Sequence, residues 1–240
     1  MDVSIIITSF NYDKFIEEAI KSCLNQETDR KFEIIVVDDG SNDKTKDILS
    51  KYSDLCNIFC IENSGVEAAS NIGIKNAKSN YFIRLDADDS IKKNLVETLF
   101  NHIEKNQSAF AYSNYDCIDE DGHIINSIFL PKYSEDEIFN RGDFLASGTI
   151  VNKDIFYKIG GYNEQHKNCG LENYELILKF IHNGFKGSLI EDNLFNYRIH
   201  SSNMSLNRRT SLIEYGKVLF SSQGYGEFKT NEFHPFGLKI

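Results

Sequence analysis

The chain has 240 residues, 41% hydrophobic and 26% charged, and a formal charge of −10. This is the composition of a soluble globular protein, long enough for one large α/β domain or two small ones and for a substantial buried core. The acidic balance excludes nucleic acid as the main partner, because phosphate backbones are met by basic patches.

Hydrophobic periodicity predicts strict strand–helix alternation in the amino-terminal half. Strands are expected at Val3–Thr8, Glu33–Val37, Asn57–Ile61 and Tyr81–Leu85. Helices are expected at Lys14–Asn25, Asp43–Lys51, Val66–Ala77 and Ile91–Lys105, the last capped by Asp89 or Ser90. Such alternation implies right-handed crossovers and a parallel sheet with helices on both faces. Further on, Ala109–Ser113 reads as a strand. Asp121-Gly122 reads as a hairpin turn between Tyr115–Ile118 and His123–Leu130. Gly148–Val151 is short and apolar, and Gly160-Gly161 marks a turn. A helix over Glu172–His182 is ended by Asn183-Gly184. Leu189–Arg198 is expected to hold a strand pair, and Leu206–Phe220 a last helix. The three phenylalanines of the tail, Phe228, Phe233 and Phe236, are expected to pack on the body.

The five cysteines, Cys23, Cys56, Cys60, Cys117 and Cys169, are scattered and odd in number. Free thiols in a reducing cytoplasm are expected, without a disulfide framework or zinc site. Val3–Ile7 is too short for a secretory signal and lacks a basic leader. No apolar run approaches the ~20 residues that cross a bilayer.

The sharpest chemical signal is Tyr81-Phe-Ile-Arg-Leu-Asp-Ala-Asp-Asp89. An apolar run ends in three carboxylates, at the carboxyl end of a strand, where open α/β sheets hold ligands. Alternation puts Asp86 and Asp88 on one side. Two such carboxylates repel unless a cation lies between them, and hard Mg²⁺ or Mn²⁺ ions prefer these ligands, beside substrate phosphates.

Loops after successive parallel strands converge on the same crevice. They carry Thr8-Ser-Phe-Asn11, Asp38-Asp39-Gly-Ser-Asn-Asp43 and Glu62-Asn63-Ser-Gly65. Neither a dinucleotide-binding nor a P-loop glycine pattern is present. As an acceptor-only carboxylate, Asp39 suits an imide N–H or a ribose hydroxyl. Asp43 reads as a turn or cap residue. Ala69, Gly73 and Ala77 form a small-residue face suited to close packing, and Asn71 beside it is a ligand candidate. In Tyr197-Arg-Ile-His200, His200 would complete a mixed carboxylate–imidazole site, and Arg198 could pair with phosphate. Glu172 opens a helix with no simple partner, whereas Glu175 and Lys179 read as a surface pair.

Taken together, Ser4-Ile-Ile-Ile-Thr-Ser-Phe-Asn11, Ile35-Val-Val-Asp-Asp-Gly-Ser-Asn-Asp43, Asn63-Ser-Gly65 with Asn71-Ile-Gly73, Leu85-Asp-Ala-Asp-Asp89 and Tyr197-Arg-Ile-His200 resemble the family 2 inverting glycosyltransferases with the GT-A fold, over residues 3–205. The resemblance implies a Rossmann-like three-layer α/β sandwich with a mostly parallel central sheet. It implies a nucleotide-binding half over 1–105 and a smaller acceptor-side half over 106–205, leaving 206–240 as a helix and aromatic tail.

In the family's pattern, Thr8, Asn11, Asp39 and Asp86 would bind the nucleotide, with Asp39 reading the base, and Asn71 is expected beside them from its place on the helix that borders the crevice. Asp88 and His200 would hold Mn²⁺ or Mg²⁺, and Arg198 would contact the diphosphate. The donor would be a nucleotide diphosphate sugar, with UDP-sugars favoured. The acceptor would be a glycan or lipid-linked hydroxyl of bacterial surface polysaccharide assembly, with membrane contact only peripheral. Two departures stand out. Ser70 replaces a common Arg. Asn173 stands where the family's catalytic Asp is expected, so Glu172 is the expected base, with a non-catalytic nucleotide-sugar binder as the alternative. A nucleotidyltransferase would want a Gly-rich basic loop after the first strand, which is missing.

Overall fold

The apolar run Val3–Ser9 forms β1, a central strand of a nine-stranded sheet in the computed structural model of the chain, which describes residues 1–203 and 209–240. Strands β2 (Phe32–Asp38) and β4 (Tyr81–Asp86) flank β1 in parallel, and β3 (Asn57–Cys60) lies outside β2. Parallel neighbours need crossovers. Helices α1 (Ile16–Leu24), α2 (Thr45–Ser50) and α3 (Val66–Asn76) supply them.

The sheet continues through the second half of the chain. Beside β4 runs the antiparallel β8 (Ile150–Asn152), then β6 (Phe110–Ile118), β9 (Gly187–Arg198) and the two-residue β5 (Ser90–Ile91). A hairpin strand, β7 (Ile124–Ile128), pairs with β6. Among the described residues, five further helices pack around the sheet: α4 (Leu95–Asn106), α5 (Glu135–Arg141), α6 (Lys153–Lys158), α7 (Glu172–His182) and α8 (Arg209–Gln223).

Alternation along β1 divides the core into two layers. Ile5 and Ile7 pack with Ile16 and Ile20 of α1 and Leu99 of α4, whereas Ile6 packs with Ala69 and Ile74 of α3 and Ile177 of α7. Helices therefore cover both faces, giving the expected α/β sandwich. At Gly73 a Cβ would collide with Ile6 Cγ2 and approach Val37 Cγ2 to 3.3 Å. The small-residue face of α3 thus serves close helix–sheet packing.

Three expectations are corrected. The helix expected from Ile91 begins at Leu95, because Ser90 and Ile91 pair with Asn196 and Phe195 as a strand; Asp89 is no helix cap. Leu189–Arg198 is the body of one twelve-residue strand, not a pair, held along β6 through two register shifts. The separate expectations at Ala109–Ser113 and Tyr115–Ile118 merge into the single strand β6. The expected boundary at 205 and the first residues of the last helix, 206–208, lie outside the described residues. Among the described residues no helix is long and apolar enough to cross a membrane.

Candidate active site

The loops following β1, β2, β3 and β4 open into one cavity of about 640 Å³, and Thr8, Asn11, Asp39, Asp86, Asp88 and Glu172 all line it. The first two loops are tied together. Asn11, with φ of 59°, donates its N–H to Ser41 Oγ (2.9 Å) and accepts from Asn42 N–H through Oδ1 (2.9 Å). Asp43 clasps the same loops, accepting from Thr45 and Asp13 N–H. Asp39 accepts from Ser64 N–H (2.6 Å) and Gly65 N–H (2.9 Å), which pins its carboxylate at the cavity wall. Each oxygen keeps a second lone pair for a ligand donor.

The aspartate cluster divides its partners. Asp86 accepts from Arg84 (2.5 Å) and from Thr8 Oγ1 (3.4 Å). Asp88 Oδ2 lies 3.0 Å from His200 Nε2, across 112 residues of sequence. Ser202 N–H donates to His200 Nδ1 (3.2 Å), so Nε2 carries the ring proton and donates to Asp88. In this tautomer His200 orients Asp88, and direct ligation through Nε2 would need the other tautomer. Asp89 faces away and accepts from Arg198 N–H (3.0 Å), with Oδ2 buried and unpartnered. Burial first, then repulsion from Asp88 and Asp86, pushes the Asp89 carboxyl well up. Burial likewise raises Asp86, although Arg84 opposes it. Excess negative charge at a carboxylate–imidazole pair suits a hard divalent cation.

Two residues before Asp86 on β4, Arg84 organises the site. This buried guanidinium donates to Glu172 (2.9 Å) and Asn173 Oδ1 (2.7 Å) as well as to Asp86. Tyr162 hydroxyl also donates to Asn173 Oδ1 (3.1 Å), and Asn173 Nδ2 donates to Glu172 (3.2 Å). Burial raises the Glu172 carboxyl; Arg84 pulls it back. Sequence reasoning missed Arg84, although an arginine inside an apolar strand was itself the signal, since a buried cation demands carboxylates. It also missed Asp143, a buried carboxyl on the cavity wall that no local pattern announces.

Some expected site residues are used elsewhere. Asn71 donates to Tyr162 O (3.0 Å) and Glu164 (2.7 Å), which fastens the loop after α6 and leaves it off the cavity lining. Arg198 is fully buried behind Asp88, donating to the carbonyls of Asp88, Asp119 and Glu120 and pairing with Glu18 at 2.7 Å. It buttresses the loop that carries Asp88 and does not line the cavity. Glu175 is buried, not on the surface, and binds Tyr215 and Asn163 besides Lys179. Phe228 packs against Phe220 as expected, and Phe236 packs at a tilt against Tyr197 on the cavity lining.

The family described as "Glycosyl transferase family 2" matches residues 4–160. The chain belongs to glycosyltransferase family 2. The enzyme class expected from its sequence is the class of this family and of its relatives. An Escherichia coli UDP-Glc:alpha-D-GlcNAc-diphosphoundecaprenol beta-1,3-glucosyltransferase, WfaP, is 33% identical over 91% of the chain and 86% of its own length. A Rickettsia typhi uncharacterized glycosyltransferase is 37% identical over 75% of the chain, and the match spans 58% of that relative. Among solved structures, S. aureus TarS 1-349 in complex with UDP-GlcNAc superposes with a TM-score of 0.74, at 19% identity, over 92% of the chain and 66% of that structure. A longer TarS structure is matched over 39% of its length. These neighbours carry the GT-A fold.

Proposed function

We propose that this family 2 member transfers one sugar, with inversion, from a nucleotide diphosphate sugar to a hydroxyl of a glycan or lipid-linked acceptor. UDP-sugars are the favoured donors. The observation that carries this reading is the single cavity that unites Asp39, Asp86 and Asp88 with Glu172. The WfaP and TarS names, with a UDP-sugar in each, support the donor class. Residues 1–105 would serve the donor and 106–205 the acceptor, at the cytoplasmic face of a membrane bearing lipid-linked acceptors.

Asp39, Thr8, Asn11 and Asp86 would hold the nucleoside. Asp88, oriented by His200, would hold Mn²⁺ or Mg²⁺. That ion would neutralise charge on the departing nucleoside diphosphate. Glu172, kept in place by Arg84, would take the proton of the attacking acceptor hydroxyl, a role worth roughly 10²–10⁴ in rate. The hydroxyl would approach the anomeric carbon from the face opposite the diphosphate.

The test is a panel of UDP-sugars with Mn²⁺ and a lipid-diphosphate GlcNAc analogue, read as released UDP and as product anomer. Metal-stimulated turnover with inverted product is expected. Donor affinity without turnover or hydrolysis would favour the binding-protein reading, for which Asn173, clamped on Arg84, is the argument.

A further inference from the structure

Asp143 is left unused by the reaction just described. It follows α5 and opens the loop that runs to β8. That loop touches the aspartate cluster: Gly148 N–H donates to Arg84 O (2.9 Å), and Asp86 N–H reaches Ser147 Oγ (3.4 Å). Asp143 itself lines the cavity together with Phe144, Leu145 and Glu172. Only 4% of it is exposed.

A buried carboxyl ordinarily has a cation or several donors. Among the described residues, the one hydrogen bond recorded for Asp143 comes from Phe144 N–H (2.6 Å). The nearby guanidinium of Arg141 is spent on Glu137, through Nε (2.9 Å) and Nη2 (2.5 Å). Glu172 adds like charge. Asp143 is therefore a polar group held in an apolar wall at a real cost, with its free capacity facing the cavity.

Resting on the proposed function, we infer that Asp143 binds a hydroxyl of the transferred sugar and sets which donor sugar is accepted. The sugar of a bound donor lies one bond beyond the diphosphate, and the loop of Asp143 borders Asp86, two residues before the carboxylate proposed to hold the cation that would face that diphosphate. Burial, the main cause, pushes the Asp143 carboxyl up to about 8, so at neutral pH it is a neutral acid able both to donate to and to accept from one hydroxyl. Glu172, on Arg84, remains free to act as base.

The test is a substitution cycle on the full chain with Mn²⁺, using UDP, UDP-glucose and analogues of UDP-glucose that lack single ring hydroxyls. Asp143→Ala should weaken the preferred UDP-sugar about tenfold, the value of one hydrogen bond of this kind, and leave UDP affinity unchanged. One deoxy analogue, penalised by the wild type, should be penalised no further by the variant. Asp143→Asn should fold and keep most turnover, because an amide also donates and accepts. Equal hydroxyl penalties in wild type and Asp143→Ala would overturn the inference. Loss of turnover in Asp143→Asn would overturn it too, by making Asp143 the base. If the wild type binds UDP-sugars no better than inorganic diphosphate, the functional reading fails and takes this inference with it.

Discussion

Arg84 on β4 and Glu172 on α7 stand 88 residues apart and meet in a buried ion pair of 2.9 Å. The pair joins the parallel half of the sheet to the helix layer that closes the cavity. Removing one partner leaves the other charge buried, which typically costs about 3–5 kcal/mol. Arg84→Met should lose that much in urea unfolding at pH 7. Adding Glu172→Gln should restore part of the loss, since the buried Glu172 charge is then gone and only Asp86 is left without its guanidinium. A single-variant loss below about 1 kcal/mol, the scale of exposed pairs, would refute the role given to Arg84.

Glu172→Gln alone isolates the chemistry. The amide can still accept from Arg84 but cannot take a proton. Turnover should fall by roughly 10²–10⁴ with donor affinity unchanged. Undiminished turnover would move the base to another carboxyl.

Asp88→Asn tests the cation. In the wild type, UDP with Mn²⁺ at a hundred times its Kd should add about 2.7 kcal/mol of stability. The variant should lose the Mn²⁺-dependent share of this gain, and a chelator should bring the wild type to the same level. An identical Mn²⁺ response in both proteins would remove Asp88 from the metal site.

Asp143 makes stability fall with pH. Its folded-state carboxyl is pushed up to about 8 by burial, with Glu172 raising it further and Arg141 opposing. Between the ordinary carboxylate range near 4 and about 8, the folded chain binds more protons than the unfolded chain, so the stabilisation present at low pH is lost as pH rises. Asp143→Asn should abolish this component. Its melting temperature relative to wild type should therefore climb from pH 5 to pH 8. A flat difference would show that Asp143 titrates normally.

Gly73→Ala probes the packing under the site. The added methyl meets Ile6 and Val37. Overpacking of this kind costs about 1–3 kcal/mol. A neutral or stabilising effect in thermal unfolding would mean that α3 can lift from the sheet freely.

The sequence made legible whatever depends on local periodicity. The strand–helix alternation through Lys105 and the helix Glu172–His182 follow from spacing, and parallel strands place their carboxyl-end loops together. Hence Thr8, Asn11, Asp39, Asp86 and Asp88 could be grouped before any contact was seen. What the sequence could not show is that the Asn71 amide, next to a cavity-lining helix face, is engaged by Tyr162 and Glu164, partners 91 and 93 residues away. The burial of Arg198 was hidden for the same reason: its carbonyl partners come from two other loops.

By itself, then, the sequence determined the layered fold and the acidic crevice, because period and charge are properties of neighbouring residues. Only the tertiary structure decided how each charge is spent. It gave Asp86 to Arg84, Asp88 to His200 and Asp89 to the backbone of Arg198. It also turned Asp143 into the cavity with a single backbone donor. A buried charge is tuned by whatever reaches it through space, and in this chain those groups arrive from segments as many as 112 residues apart.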